Sequence, residues 1–212
     1  MKELKKQYIM PQLILFILAI FFSCSKETVK PNVLASEYFP NSVGNYWEYD
    51  VYDSTSSKRY NVTVNITGTQ KLADSQIAYV YKYQYPWASD TNYVRVDHDT
   101  VKVYDKFRTE SINGLRFPLK IFLIPFQDGQ RWDGKLLAID SSHVTNKSTI
   151  TVPLETFKNG FSIYHHYIGP NIEYNDTYNF IPNVGMVKIY YYHYDLAPPT
   201  RVLWQLKKYY LK

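Results

Sequence analysis

The sequence predicts an all-β fold: a strongly curved antiparallel sheet, barrel-like or a sandwich, with one long irregular loop. Three observations carry this expectation. Tyrosine supplies 22 of the 212 residues within a 17% aromatic share, and its broad side chain suits a pleated, half-buried surface. Apolar residues recur at every second position through most of the chain. No stretch shows the apolar spacing of an amphipathic helix.

The N-terminus is an address. Lys2, Lys5 and Lys6 precede an unbroken apolar run from Leu13 to Phe22, and Ser23-Cys24 comes next. A basic start, a short apolar run and a small residue at the cut make a secretory leader. The run is about half the roughly 20 residues a membrane-spanning helix needs, and Pro11-Gln12 bars its extension upstream. Phe21-Phe22-Ser23-Cys24 resembles the lipobox of bacterial lipoproteins, in which the thiol is acylated and becomes the mature N-terminus. Ser23 and Cys24 match that pattern, whereas Phe21 and Phe22 stand where a leucine-like and a small residue are usual. Two alternatives stay open: ordinary cleavage after Ser25, leaving a soluble periplasmic protein, and an uncleaved anchor.

Cysteine usage agrees with lipidation. Export leads to a compartment that permits disulfides, yet Cys24 is the one cysteine in the chain. The folded part therefore has no disulfide, thiolate nucleophile or cysteine-based metal site. Two or more acyl chains on Cys24 anchor a protein stably, where one chain is marginal. The expected organisation is a leader over residues 1–23, a lipidated cysteine and flexible tether over 24–36, and a single β-rich domain over 37–212. Ser25 resembles the residue after the cysteine in outer-membrane lipoproteins, and Lys26-Glu27 faintly resembles surface-export tethers. The expected location is the outer membrane, with the domain facing the periplasm or the surface. Loss of Lys2, Glu3, Lys5 and Lys6 with the leader lowers the formal charge from +5 to +3, too little to argue for a nucleic-acid partner.

The first strand comes soon after the tether. Trp47, Tyr49 and Val51 alternate with Glu48, Asp50 and Tyr52, and Ser54 to Lys58 make a polar turn. Tyr60, Val62, Val64 and Ile66 then alternate with Asn61, Thr63, Asn65 and Thr67, the clearest half-buried strand of the chain. Ile77, Tyr79, Tyr81, Tyr83 and Tyr85 form the next, ended by Pro86. Tyr93 to Asp97 and Val101 to Asp105 flank a short hairpin turn at His98-Asp99-Thr100. Thr109 to Gly134, with Pro118, Pro125 and several glycines, reads as the long irregular loop. Further strands are expected at Ser148 to Val152, Phe161 to Ile168, Met186 to Tyr194 and Val202 to Leu211.

One device occurs twice. Pro40, Gly44 and Trp47 have the spacing P-x3-G-x2-W, and Pro125, Gly129 and Trp132 repeat it. Pro stops the preceding element, Gly permits a tight turn, and Trp is the first large anchor of the next strand. Either an internal duplication or convergent use of one turn accounts for it.

Phe39-Pro40 through Gly44, Trp47 and Tyr49 resembles the F-P-x3-G-x2-W-x-Y opening of many uncharacterised bacterial lipoproteins. The segment Val152-Pro153-Leu154-Glu155-Thr156-Phe157-Lys158-Asn159 is similar to their central V-P-x-x-T-F-x-N, with Leu154-Glu155 where Ala-Gly is usual. Val184-Gly185-Met186-Val187-Lys188 is similar to their late V-G-x-V-K. Pro40, Gly44, Trp47, Pro153, Phe157 and Gly185 are thus the motif's structural positions. The resemblance implies an extracytoplasmic β-rich lipoprotein, and it brings no activity and no catalytic residues.

Catalytic motifs are absent: the sequence contains no G-x-S-x-G, H-E-x-x-H, Walker loop or G-x-G-x-x-G. His165-His166 invites a metal, but neighbours on a strand point to opposite faces and cannot easily share one ion. One of them can join His193 and Asp195 if their strands are adjacent. Asp97, Asp99 and Asp105 read as solvated residues around a hairpin, and Asp90 and Asp176 as turn residues. No metal and no cofactor is expected.

The tyrosines remain. Tyr79, Tyr81, Tyr83 and Tyr85 share a strand face, and Tyr190, Tyr191, Tyr192 and Tyr194 crowd a later strand so that both its faces carry rings, with Tyr190 and Tyr192 as the candidates for the ligand surface. They build either the wall of a curved sheet or a concave aromatic surface that accepts a lipid, glycan or protein. The expected function is a lipid-anchored, non-enzymatic binding or structural protein of the envelope. The alternative is an envelope hydrolase whose carboxylates and histidines converge only in the fold.

Overall fold

Trp47, Tyr49 and Val51 are buried on one side of β1 (Tyr46–Asp53), and Tyr52 is exposed on the other. The alternation read in the sequence is therefore the alternation of the strand. The computed structural model describes residues 35–134, 139–145, 147–169, 172–194 and 199–212. The leader, Cys24 and the tether up to residue 34 lie outside these residues, as does Asp195.

Thirteen strands form one antiparallel sheet. After β1 come β2 (Lys58–Lys71), β3 (Ile77–Gln84), β4 (Ser89–Val96), β5 (Thr100–Tyr104) and β6 (Lys120–Leu123), each paired with the strand before it. A second meander runs through β7 (Arg131–Asp133), β8 (Ile139–Val144), β10 (Thr156–Gly169), β11 (Ile172–Ile181), β12 (Gly185–His193) and β13 (Thr200–Tyr210). The short strand β9 (Ser148–Thr151) pairs with β10 off this path. The two meanders join where the last strand, β13, pairs with the first, β1. That leaves β6 and β7 as the sheet's two edges. The Trp132 indole N–H of β7 donates to the Ile121 carbonyl of β6 at 2.9 Å and bridges them. The fold is the expected all-β curved sheet, and it is barrel-like.

Each meander begins with the repeated turn device. Gly44 has φ +98° and Gly129 has φ +75°, a region that favours glycine. Trp47 and Trp132 come next as buried rings, and each indole N–H reaches a distant carbonyl, Trp47 to Val184 at 2.8 Å. The late motif closes on the first. Gly185, at φ +93°, lies where a Cβ would come within 3.2 Å of Pro40 and 3.8 Å of the Trp47 ring. Phe157 of the central motif is buried in the main core, whereas Pro153 is exposed in the turn after β9.

Three expectations need correction. The folded domain begins before residue 37, because Ala35–Tyr38 forms the single-turn helix α1 and Ala35 is buried in the core. The irregular loop from Thr109 to Gly134 holds the two edge strands β6 and β7. It also holds one of two further single-turn helices, α2 (Lys106–Thr109) and α3 (Ile112–Leu115), capped by Asp105 and Ser111. The strands β8 and β11 are additions to the expected set, since their inward positions include Asp140, Ser142 and Asp176 in place of apolar residues.

The core is strongly aromatic. Tyr38 packs on Phe126 at 4.7 Å between ring centroids, and Phe39 packs on Phe180 and Phe122 at 5.0 and 5.2 Å. No helix among the described residues is long and apolar enough to cross a membrane.

Candidate functional site

The inward faces of β1, β3, β12 and β13 meet around a cavity of about 90 Å³. Trp47, Tyr49, Tyr81, Tyr83, Tyr191 and Trp204 form much of its wall. Several of these rings keep their polar atoms occupied. The Tyr49 hydroxyl donates to the Met186 carbonyl at 2.7 Å, and that of Tyr81 to the Pro40 carbonyl at 3.3 Å. The cavity thus sees mostly ring faces and edges. Burial pushes the Tyr49, Tyr81 and Tyr191 phenols up, so these rings stay uncharged at any ordinary pH.

Among the described residues, Lys120 is the one charged group in the wall. It arrives from the edge strand β6 and reaches across the interior to Asp176 of β11, with Nζ 3.0 Å from the carboxylate. Its ammonium also lies 4.2 Å from the centre of the Tyr178 ring. Asp176 is only 1% exposed. Its second partner is the Tyr178 hydroxyl, which donates at 2.6 Å, and its third is His193 Nε2 at 3.2 Å. Burial works to raise the Asp176 carboxyl, but the Lys120 charge and the His193 and Lys120 hydrogen bonds outweigh it and hold the group below the usual carboxylate range.

Beside this cluster lies a second, smaller one. His165 Nε2 is 2.7 Å from the Asp140 carboxylate, and both residues are buried. The other ring nitrogen, Nδ1, is buried without a hydrogen-bond partner. His165, Asp140 and Ser142 line a polar space of about 10 Å³, and Lys120, Phe122 and Tyr178 line both this space and the aromatic cavity. The Tyr174 ring sits between the two histidines, 5.5 Å from His165 and 5.3 Å from His193.

The tyrosines expected from the sequence divide between the two faces of the sheet. Tyr79, Tyr81, Tyr83 and Tyr85 all pack against the main core, and Tyr81 and Tyr83 line the cavity. Tyr190 and Tyr192 do not belong to this surface. Val187 and Ile189 are buried on the inner side of β12, so the period of two turns Tyr191 inward and Tyr190 outward. On the outer face Tyr190 and Tyr192 lie 6.4 Å apart, and the Arg201 guanidinium sits 4.8 Å from the Tyr192 centroid. His165 and His166 point to opposite faces, as expected; His166 pairs outside with Glu173 at 3.4 Å. His193 is not beside His165, since β11 lies between their strands. Asp97 pairs with Arg95 and Lys102 far along the chain from this cluster, and Asp105 caps α2. Asp176 is no turn residue: it lies within β11 and is nearly inaccessible. No group of three or more His, Cys, Asp or Glu among the described residues is placed to hold a metal ion.

Sequence reasoning missed Lys120, Asp140 and Trp204, took Asp176 for a turn residue, and chose Tyr190 and Tyr192 over the inward-facing Tyr191. For Asp176 a signal was present, because Tyr174, Asp176, Tyr178 and Phe180 alternate with Asn175, Thr177 and Asn179. Lys120 carried none, sitting after Pro118 in the least regular segment of the chain.

No protein-family model matches the sequence, and no curated protein matches it. Solved structures with a similar course include a protein from Bacteroides fragilis described as exported, with a YmcC-like fold. It is 14% identical and has a TM-score of 0.47, and the match covers 82% of this chain and 98% of that one. Another is a protein from Parabacteroides distasonis described as a lipoprotein, also 14% identical, with a TM-score of 0.45; the match covers 85% of this chain and 100% of that one.

Proposed function

We propose that the chain is a lipid-anchored envelope protein with a binding role, and that the aromatic interior of its barrel is the binding site. The observation that carries this reading is the cavity itself, bounded by large rings, with the polar atoms of Trp47, Tyr49 and Tyr81 already hydrogen-bonded to the wall. Along those three rings the space accepts apolar surface without unpairing a polar group. Its size limits the occupant. An engineered cavity of about 150 Å³ takes up benzene, so about 90 Å³ suits a slim chain or the tip of a larger ligand. Anchoring rests on the leader and on Cys24, which would place the domain at the outer membrane.

Two experiments test the two halves. Labelling with a fatty-acid probe should mark the wild-type chain and leave Cys24→Ala unmarked and released from membranes; equal labelling of both would overturn the anchor. Mass spectrometry of small molecules that co-purify with the Cys24→Ala chain should find an apolar compound. Recovery of the same compounds from a variant with the cavity filled, Val94→Phe, would show that they ride on the surface.

A second reading has a specific observation in its favour. His165 and His193 both stand on the interior wall beside carboxylates, and Ser142 faces His165 across the β8–β10 pair. A hydrolase needs its nucleophile and base within hydrogen-bond reach of a substrate. Here the space beside His165 is about 10 Å³, room for one water and not for a scissile bond. Hydrolysis of model esters that disappears in Ser142→Ala would revive this reading.

A further inference from the structure

We propose that residues 106–117 form a second membrane contact, in which Phe107, Ile112 and Phe117 enter an anionic lipid surface and Lys106 and Arg116 pair with its headgroups. This goes beyond the binding role of the interior. Its test runs without the acyl anchor, so each reading can fail alone.

The segment leaves the sheet after β5 and returns at β6. Two single turns fill it, α2 and α3, and each is fixed by a cap. The Asp105 carboxylate accepts the Arg108 backbone N–H at 2.9 Å, and the Ser111 hydroxyl accepts that of Asn113 at 3.2 Å. The turns lie against each other, since a Cβ on Gly114 would come within 2.9 Å of the Arg108 backbone. Leu115 anchors them, buried with Leu72, Ala78 and Tyr104 in a small cluster apart from the main core. Pro118 is buried as well. The segment is therefore tied to the barrel at fixed points.

What it presents outward is apolar. Phe107 is 86% exposed, the most of any large apolar residue among those described, and Ile112 is 57% exposed. Phe117 is exposed too. Single exposed apolar residues are ordinary, but three on one short segment that is itself docked by Leu115 mark an interaction surface.

Charge names the occupant. Phe107 stands between Lys106 and Arg108, and Phe117 follows Arg116. Arg108 pairs with Asp105, whereas Lys106 and Arg116 are exposed and form no ion pair among the described residues. Glu110 is the one acid from 106 to 117. The centre of a protein interface is depleted of charge, lysine included. Cations set directly beside exposed rings suit a bilayer boundary instead, where the rings enter the acyl region and the cations stay with anionic headgroups. Reach permits the contact. The stretch from Cys24 to Ala35 spans at most about 40 Å when extended, and a domain of this size is roughly 40 Å across. A bilayer that holds acyl chains on Cys24 is thus within range of the segment, and a second contact strengthens the first.

The test uses the leader-free chain with Cys24→Ala, which keeps every strand of the sheet and carries no acyl group. It should bind vesicles of mixed phosphatidylglycerol and phosphatidylcholine, and pure phosphatidylcholine vesicles far less. Phe107→Ser should weaken binding about tenfold, the loss expected when one ring stays in water. Lys106→Gln combined with Arg116→Gln should weaken it at least about tenfold. Thermal melts of these variants should match the parent, because all three side chains are exposed. Phe107→Cys then offers the one thiol for an environment-sensitive fluorophore, since Cys24 is the only cysteine of the natural chain. Its emission should rise with the anionic vesicles, while the same label at Trp87→Cys stays unchanged. Equal binding to both kinds of vesicle would overturn the pairing with headgroups, and full binding by Phe107→Ser would overturn the insertion. Binding to neither kind would end the membrane contact altogether. Self-association of the chain that Phe107→Ser abolishes would assign the face to a second copy and reject the lipid partner.

Discussion

Trp47 is 4% exposed and donates its indole N–H to the Val184 carbonyl, while Trp87 is 65% exposed and rests on Tyr60 and Tyr85. Truncating a buried Trp usually costs about 3–5 kcal/mol, a large part of the roughly 5–15 kcal/mol that holds a domain together. Trp47→Ala should therefore be severely destabilising and Trp87→Ala mild, as thermal melts of the two variants will show; the reverse order would mean that β1 is turned the wrong way. Lys120 makes a second case. Its charge holds the Asp176 carboxyl below the usual range against the pull of burial. A carboxyl depressed in the folded state contributes stability above its unfolded value of about 3.9, and that contribution is lost as pH falls through the lower folded value. Lys120→Met should thus cost about 3 kcal/mol near neutral pH, because it leaves a buried carboxylate short of a partner. The deficit should narrow as pH falls through the carboxylate range, because burial without the Lys120 charge raises the Asp176 carboxyl and lets it protonate. Denaturant melts across a pH series give both numbers, and an unchanged midpoint at pH 7 would contradict the role of the pair. Trp47 is legible in the sequence because Tyr49 and Val51 repeat its spacing. Lys120 is not, because its partner lies 56 residues away on another strand.

The strands legible in the sequence, β1 to β5, β9, β10, β12 and β13, announce themselves by apolar residues at alternate positions. Two that are not, β8 and β11, are those whose inward positions carry Asp140, Ser142 and Asp176. In β8 the polar pair Asp140 and Ser142 erases the signal that marks a strand, whereas β11 keeps its alternation in Tyr174, Tyr178 and Phe180 and only Asp176 interrupts it. The edge strands β6 and β7 escape for another reason: at four and three residues they are too short to show a period. Their junction is also the weakest place in the sheet, because the Trp132 indole bridges what a backbone ladder joins elsewhere. Trp132→Phe keeps an aromatic ring and removes that bond, which should cost about 1 kcal/mol. Amide exchange in Lys120–Leu123 should quicken, with the β1–β13 ladder unaffected. Faster exchange along β1 and β13 instead would place the barrel's weak seam at the junction of its two meanders.

At the scale of the molecule, two meanders, each opened by a Pro-Gly-Trp turn, wrap a single aromatic interior with one polar corner. Barrel-like closure is foreseeable from the number of short alternating strands, whereas the position of the cavity depends on which tyrosines of β12 face inward. The central claim is that this interior is a binding site. Trp47 and Trp204 line the cavity, while Trp87 is on the outside. The most direct measurement is the set of indole N–H resonances, assigned by single Trp→Phe substitutions and monitored while hexanol is added to the Cys24→Ala chain. The Trp47 and Trp204 signals should shift and saturate while the Trp87 signal holds its place. Movement of Trp87 alone, or of no indole at all, would contradict the claim.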